Sequence, residues 1–391
     1  MKLDSVIVRF GGEIGIKGEW TRRSYERLLS KNIERALTHH STNFDQIVRQ
    51  HGRIYIKTSK AKEAASKVTR VFGVSSASPA AATISDINSI TEQAVGFADA
   101  ALKDKDSFAI RCRRVGKHPY SSMDVCRKVG KQILTQLKDR NIKVDLNDPG
   151  YLLGIEIRGD QAYIFAETCR GMDGLPLGSQ AKVVCLLSDG MDSPVACWLA
   201  MKRGCPIVPL YFDNTPFSDE AATKKAFEVA EKLFEWAIGF PRRICVVPHG
   251  RNLETLIRES PRRLTCILCK RIMYRISKRI AETERAEGIM TGEAIGEQAS
   301  QTLHNLRILN EAVNGYPVHR PILTFNKGET ERLARKISTF EISARRSSGC
   351  SAASKRPTTK AKLKDVKIAE QELDVGAMVD ESVEQTKIFS I

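Results

Sequence analysis

Two short stretches of this chain place reactive side chains at spacings that chemistry can use. The first is SDGMDS, from Ser188 to Ser193, which sets two hydroxyls, two carboxylates and a glycine between the apolar runs VVCLL and PVACWLA. A chain that leaves a strand through such a loop and enters a helix offers unpaired backbone N–H groups and partial positive charge to an anion. Ser188 and Ser193 add hydroxyl donors, and Pro194 suits a first helical turn, where its missing N–H costs nothing. No lysine follows at the spacing of a Walker loop, so a phosphate bound here is held in another way. The same residues also read as an ordinary helix start capped by Ser or Asp.

The second stretch is CILC. Cys266 and Cys269 stand at i and i+3, on one face of a helix or turn and near enough for a single metal centre. Two core cysteines are the plain alternative. The N-terminus MKLDSVIVRF lacks a signal-peptide layout, and no apolar run approaches the roughly 20 residues of a membrane span. A cytoplasmic protein with no membrane partner is expected, and its ten cysteines are then not a disulfide framework. Cys112, Cys185, Cys197 and Cys245 sit singly in apolar runs and read as small buried hydrophobes.

The charge balance points to a partner. Lys and Arg number 62 against 46 Asp and Glu, a net charge of +16, which favours a polyanion through counterion release. Solubility alone, or a surface rich in ion pairs, is the plainer and less favoured alternative. Aromatic residues are only 6%, which argues against a protein that works mainly by stacking bases. Basic residues gather at the end of the strand-like FAIRCR, as Arg111, Arg113, Arg114, Lys117 and His118, and on the following helix as Lys128 and Lys131. A solvated charged face is the alternative for any one of them.

These residues need elements to position them. Near the N-terminus, VIVRF and RIYIK alternate as strands, with helices expected at 21–37 and 61–71, a small α+β ferredoxin-like unit. Helices at 90–102 and 122–137 and strands around 108–113 and 151–165 follow, the last pair turning at Gly159 and Asp160. GMDGLPLGSQ reads as a linker. Beyond it, Val-, Ile- and Leu-rich strands at 183–187, 207–212, 244–248 and 288–291 alternate with helices, the pattern of a doubly wound α/β domain with a parallel sheet. SDGMDS then lies at the carboxyl edge of the first strand of that sheet, where ligands of such folds bind. The charged tail after Leu363 has room for one helix. The expected divisions are 1–75, 76–172, a linker at 173–180, and 181–391.

SDGMDS resembles the SGGxDS signature of the PP-loop ATP pyrophosphatases, with Asp189 in place of the first glycine. VIVRFGGEIGIKG, FAIRCRRVGKHPYSS, DLNDPGYLLGIEIRGDQAYIF, GMDGLPLGS, LLSDGMDSPVACWLAMKRG, TGEAIGEQASQTLHNL and RPILTFNKGETERLARKI are together similar to the tRNA 4-thiouridine synthetases, the ThiI family. The resemblance runs in order along nearly the whole chain. It implies a ferredoxin-like domain, a THUMP RNA-binding domain and a PP-loop domain. It also implies a reaction in which ATP adenylates uridine 8 of tRNA and sulfur displaces AMP.

Carried over by motif, Leu186, Leu187, Tyr211, Phe212, Lys270, Gly292 and Gln301 would contact ATP. Ser188, Gly190, Asp192 and Ser193 would hold pyrophosphate and Mg²⁺. Lys270 also makes sense by itself as a charge for the α-phosphate region. Asn326 and Ser338 depart from the family's Asp and Gly.

Many relatives end in a rhodanese domain that carries sulfur; here only about 28 residues follow Leu363, against roughly a hundred for a domain. The resemblance extends to members that hold an iron–sulfur cluster on three cysteines, here Cys266, Cys269 and Cys350. A 4Fe–4S cluster so held keeps one iron open to sulfide. Zinc would need a fourth ligand, and a persulfide on Cys350, favoured by Arg345 and Arg346, is a further route. Inorganic sulfide or a sulfur carrier would be the donor, the tRNA acceptor stem the substrate surface, and a homodimer is left open. Two other functions fit the same residues: an RNA-binding protein without catalysis, and a PP-loop enzyme acting on another tRNA base or a small molecule.

Overall fold

The computed structural model describes residues 2–50 and 52–391. The chain forms two compact units, Met1–Pro176 and Leu177–Ile391, so the division falls inside the expected linker.

Unit 1 begins with β1 (Ser5–Phe10), the single turn α1 (Gly12–Gly15) and α2 (Glu19–His39). Next come β2 (Gln46–Gln50), β3 (Arg53–Lys57), α3 (Ala61–Val68), β4 (Val74–Ile84), α4 (Ile87–Ala101), β5 (Ser107–Val115) and α5 (Ser122–Gln136). The unit closes with β6 (Lys143–Val144), β7 (Tyr151–Arg158), β8 (Gln161–Phe165) and β9 (Cys169–Arg170). Its strands form one sheet in the order β2-β3-β1-β4-β8-β7-β5-β6, with β9 on β4. β4 spans two halves: residues 74–80 pair with β1 and residues 81–84 with β8. The expected division between residues 75 and 76 therefore falls within a strand. Val6, Val8, Ile54 and Ile56 pack with Leu29 and Ile33 of α2 and Ala64 and Val68 of α3. Phe108, Leu153, Ile155 and Ile157 pack with α4 and α5 in a second core.

Unit 2 contains β10 (Val183–Leu187), α6 (Asp192–Lys202), β11 (Ile207–Asp213), α7 (Glu220–Phe234), β12 (Arg243–Pro248), α8 (Gly250–Glu259) and α9 (Thr265–Glu284). These are followed by β13 (Ile289–Met290), α10 (Leu303–Glu311), β14 (Val318–His319), α11 (Lys327–Lys336) and α12 (Phe340–Ser343). The chain ends with α13 (Leu363–Gln371), α14 (Val375–Glu384) and β15 (Lys387–Ser390). The sheet order is β14-β13-β10-β11-β12-β15, parallel except for β15. β10 has β11 on one side and β13 on the other, so the winding reverses at its carboxyl end, and that reversal opens a crevice for ligands.

The tail forms more than the single helix expected. Glu370 of α13 pairs with Arg271 at 2.8 Å and Arg275 at 2.6 Å, and Asp380 of α14 with Arg279 at 2.9 Å. Arg271 is almost wholly buried and also reaches Glu311, so the charges of the tail are partners for α9 rather than a solvated run. α8, α10 and α11 were not expected from the sequence, because at 10, 9 and 10 residues each is too short for a sustained helical period.

The two departures noted in the sequence have local accounts. Asn326 caps α11, accepting from the Glu329 N–H at 3.0 Å while Glu329 reaches back to its backbone, and Asn caps a helix as well as Asp. Ser338 follows α11 at φ +63°, with Ser338 N–H on the Arg335 carbonyl and Thr339 N–H on that of Ala334. This is the Schellman ending, which prefers glycine. Ser338→Gly is expected to raise unit 2 stability by about 1 kcal/mol, seen as a rise of roughly 2–4 °C in Tm by calorimetry.

Candidate active site

α6 starts without a side-chain cap, although Ser121, Asp219 and Asn326 cap α5, α7 and α11. Its first N–H groups are thus left for another acceptor. The preceding loop closes on itself. Ser188 N–H donates to Ser193 Oγ at 2.8 Å, the two hydroxyls lie 2.9 Å apart, and Gly190 N–H reaches Ser188 Oγ at 3.3 Å.

Around this loop lies a cleft of about 290 Å³. Of the residues expected to hold nucleotide, all but Gly190 line it: Leu186, Leu187, Ser188, Asp192, Ser193, Tyr211, Phe212, Lys270, Gly292 and Gln301. Gly190 stays in the loop, its carbonyl accepting from Ser343 Oγ at 3.3 Å. Gly292 meets the loop backbone so closely that a Cβ would lie 2.5 Å from Ser193 N. Gln301 Oε1, Asn214 Oδ1 and Ser218 Oγ are buried atoms of cleft residues with no hydrogen-bond partner. Unpaired buried acceptors of this kind are costly unless a ligand meets them. Burial pushes the Asp192 carboxyl up against the opposing Lys327 charge, an environment a divalent cation would relieve.

Lys270 lines the cleft and is paired there. Its Nζ lies 2.9 Å from Glu293 Oε1, while Glu293 Oε2 accepts from Tyr274 Oη at 2.5 Å and Arg320 Nε at 2.8 Å. Burial alone would raise this carboxyl; Lys270 and Arg320 overcome it and hold Glu293 at about 2. Glu293, Tyr274 and Arg320 escaped sequence reading because each is unremarkable until the fold brings them together.

All ten cysteines are free thiols; Cys185, Cys197 and Cys245 are buried as expected, and Cys112 is half-buried. Cys266 and Cys269 lie on the first turns of α9, and Cys350 lines the cleft. Two of the three thiols are raised: burial, then Cys350 and Cys266, act on Cys269, and Cys266 adds to burial at Cys350. Among the described residues, no group of three or more His, Cys, Asp or Glu side chains is arranged to hold a metal ion, the expected set of Cys266, Cys269 and Cys350 included. Arg345 does not favour a Cys350 thiolate as expected. It pairs with Glu228 at 2.6 Å, and burial pushes the Cys350 thiol up.

Cys269 has a partner that the sequence did not reveal. Ser382 Oγ donates to the Met378 carbonyl at 2.7 Å, so it accepts from Asn252 Nδ2 at 2.8 Å. The same amide nitrogen lies 3.1 Å from His249 Nδ1, which therefore accepts. The imidazole proton is then on Nε2, which donates to Cys269 Sγ at 3.3 Å. Burial draws His249 down to about 3 and keeps it neutral. The Phe212 ring, at the end of β11, meets His249 edge-on at 5.3 Å.

In unit 1 the seven basic candidates do not form one group. Ile110 and Cys112 turn toward the α4–α5 core, so Arg111 and Arg113 alternate to the other face of β5, and both are exposed. Arg114 holds the Gly116 carbonyl at 3.1 Å and His118 Nδ1 at 3.2 Å, and His118 Nε2 donates to the Gly159 carbonyl at 2.8 Å. That pair braces a turn. Lys117, Lys128 and Lys131 are exposed, and Lys128 reaches Asn88 at 2.6 Å. Arg113 stands opposite Glu156 in register, and buried Glu156 is shared by Arg9, Arg53 and Arg158. Three arginines on one carboxylate leave net positive charge beside Arg111 and Arg113.

Fold and cleft together define a PP-loop ATP pyrophosphatase domain preceded by ferredoxin-like and THUMP regions. Family matches follow that order: the ThiI ferredoxin-like domain over residues 5–78, the THUMP domain over 85–167, and the thiamine biosynthesis protein ThiI over 178–375. A probable tRNA sulfurtransferase of Methanosarcina mazei is 38% identical over 99% of this chain and 95% of its own length. One from Brevibacillus brevis is 35% identical over 100% and 97%. A crystal structure of a 4-thiouridine synthetase–RNA complex with bound ATP superposes with a TM-score of 0.88 at 31% identity, covering 100% of both chains. The chain belongs to the ThiI family and is a tRNA sulfurtransferase.

Gly292→Ala tests the closeness of β13 to the loop. The added methyl is expected to displace the Ser193 backbone, cost about 1–3 kcal/mol in stability, and weaken ATP binding at least tenfold by calorimetric titration.

Proposed function

We propose that this cytoplasmic enzyme uses ATP to adenylate O4 of uridine 8 in tRNA and then replaces that oxygen with sulfur, giving 4-thiouridine. The supporting observation is one cleft that joins an uncapped phosphate loop, Lys270, the unpaired Gln301 oxygen and Cys350.

Uridine O4 attacks the α-phosphorus and the bond to pyrophosphate breaks. The loop N–H groups and the Ser188 and Ser193 hydroxyls hold the departing pyrophosphate. Lys270 turns toward the charge growing at the α-phosphate, and Gln301 meets the base of the nucleotide. Asp192 is the carboxylate placed to hold Mg²⁺, because Asp189 is engaged elsewhere. A sulfur nucleophile then attacks C4, and AMP leaves with the former uridine oxygen.

Cys266, Cys269 and Cys350 fit an iron–sulfur cluster in kind, as an all-thiol donor set whose mutual repulsion a cationic group would relieve. A 4Fe–4S cluster, when bound, supplies an open iron site for sulfide. The His249 N–H would steady the Cys269 sulfur as a ligand. Cys350 alone of the three lines the cleft, which favours a second reading, a persulfide on its sulfur.

The test combines tRNA-dependent pyrophosphate release with mass spectrometry of the digested tRNA, on protein reconstituted anaerobically with iron and sulfide. Thiolated uridine at position 8 is expected, with iron and sulfide bound in similar amounts. Cys266→Ala and Cys269→Ala should lose the bound iron and about two orders of magnitude in thiolation while still releasing pyrophosphate. Retention of iron and thiolation by the double variant would sink the cluster; thiolation by cluster-free protein given a sulfane-sulfur donor, with none from sulfide alone, selects the persulfide. Light scattering of the tRNA complex reads whether the active form is a homodimer.

RNA recognition is expected to rest on Arg111 and Arg113. Alanine at either should weaken tRNA binding and lower the salt slope by about 1, whereas Arg114→Ala should mainly lower the stability of unit 1.

A further inference from the structure

One residue of the phosphate loop lines the cleft yet has its carboxylate engaged by partners outside the loop. Asp189 stands where the resembled signature has glycine, and a carboxylate beside a triphosphate is repulsive. Its Oδ2 accepts from Ser347 Oγ at 2.6 Å and lies 3.5 Å from Lys225 Nζ. Lys225, on α7, is only 5% exposed, and its Nζ also donates to the Arg345 carbonyl at 2.8 Å and to Ser347 Oγ at 3.1 Å. A lysine buried to this degree needs a counter-charge, and Asp189 supplies it.

Neighbouring contacts fix the same segment. Asp219, the cap of α7, accepts from Ser348 N–H at 2.8 Å and donates its own N–H to Ser348 Oγ at 3.1 Å. Ser351 N–H reaches the Phe217 carbonyl at 2.8 Å. Residues 343–351 are thereby tied to the phosphate loop at one end and to the start of α7 at the other. Cys350 is carried on that segment at the wall of the cleft.

We propose that Asp189, Lys225 and Ser347 form a latch that transmits the state of the phosphate loop to Cys350. When the loop N–H groups close on phosphate, Asp189 moves with them and draws Ser347, placing the Cys350 sulfur beside the activated carbon. Asp189 and Ser347 are positioning residues for the sulfur step, and Lys225 keeps their contact charged and dry. The latch rests on the adenylation and sulfur-transfer reading above.

The test uses the full-length chain and Ser347→Ala. Pyrophosphate release is expected to stay within about threefold, while 4-thiouridine formed per pyrophosphate falls about tenfold, the size of one hydrogen bond to a charged acceptor. Hydrogen exchange of residues 343–351 should slow when a non-hydrolysable ATP analogue binds wild-type protein, and should not slow in the variant. Asp189→Asn, which also takes the counter-charge from Lys225, should lower the product ratio at least as far, and adding Ser347→Ala to it should lower the ratio no further. An unchanged ratio, additive losses, or analogue-induced protection that persists in Ser347→Ala overturns the latch. If wild-type protein releases no pyrophosphate, the adenylation reading fails, and the exchange measurement still decides the latch.

Discussion

The cleft depends on one helix start that is left unfinished. The first turn of α6 has no side-chain cap, whereas a cap contributes about 1 kcal/mol at the starts of α5, α7 and α11. Leaving this end open sacrifices stability and keeps N–H donors aimed at one place. Two features hold it open: the Ser188–Ser193 hydroxyl pair closes the loop without occupying the helix end, and Gly292 lets β13 press against it. The parallel sheet around β10 then sets where that open helix end points.

A second constraint is how positive charge is kept in the cleft before ATP arrives. Lys270 is half-buried and needs a partner, yet a partner bound too firmly would withhold it from phosphate. Glu293 resolves this by having more donors than it needs. In the proposed reaction Lys270 would turn to the nucleotide while Tyr274 and Arg320 still hold the carboxylate, so no buried charge would be stranded. Losing the sole partner of a buried ion costs about 3–5 kcal/mol, which a single-partner arrangement would set against ATP binding.

What the sequence made legible follows from how local each signal is. Strand, loop and helix around SDGMDS are encoded within a dozen residues, and so are the runs that build both sheets. The cleft walls from Leu186 to Gln301 were reachable only through resemblance to a family, since Tyr211 or Gln301 alone is ordinary. Contacts across long separations were hidden: Glu293 with Arg320, His249 with Cys269, and Asp189 with Ser347, 158 positions apart. The basic cluster near Arg111 divided because a strand sends alternate side chains to opposite faces, and Arg114 and His118 serve a turn. The tail offered room for only one helix in the sequence because its charges are answered on α9, more than eighty residues earlier.

The three cysteines are held to different degrees, and the difference has a chemical consequence. Cys269 is buried in α9 with its sulfur oriented by a neutral imidazole whose tautomer a side-chain network fixes. Cys266 is one turn away on the same rigid helix. Cys350 is on a segment held by hydrogen bonds and one ion pair, contacts that can rearrange together. The sulfur transfer proposed above would call on both properties: a fixed base that keeps its sulfur chemistry away from water, and one sulfur that reaches the adenylated carbon only when a substrate is present. The fixed side of this site is built into the core of unit 2, and the adjustable side is fastened to the loop that binds phosphate.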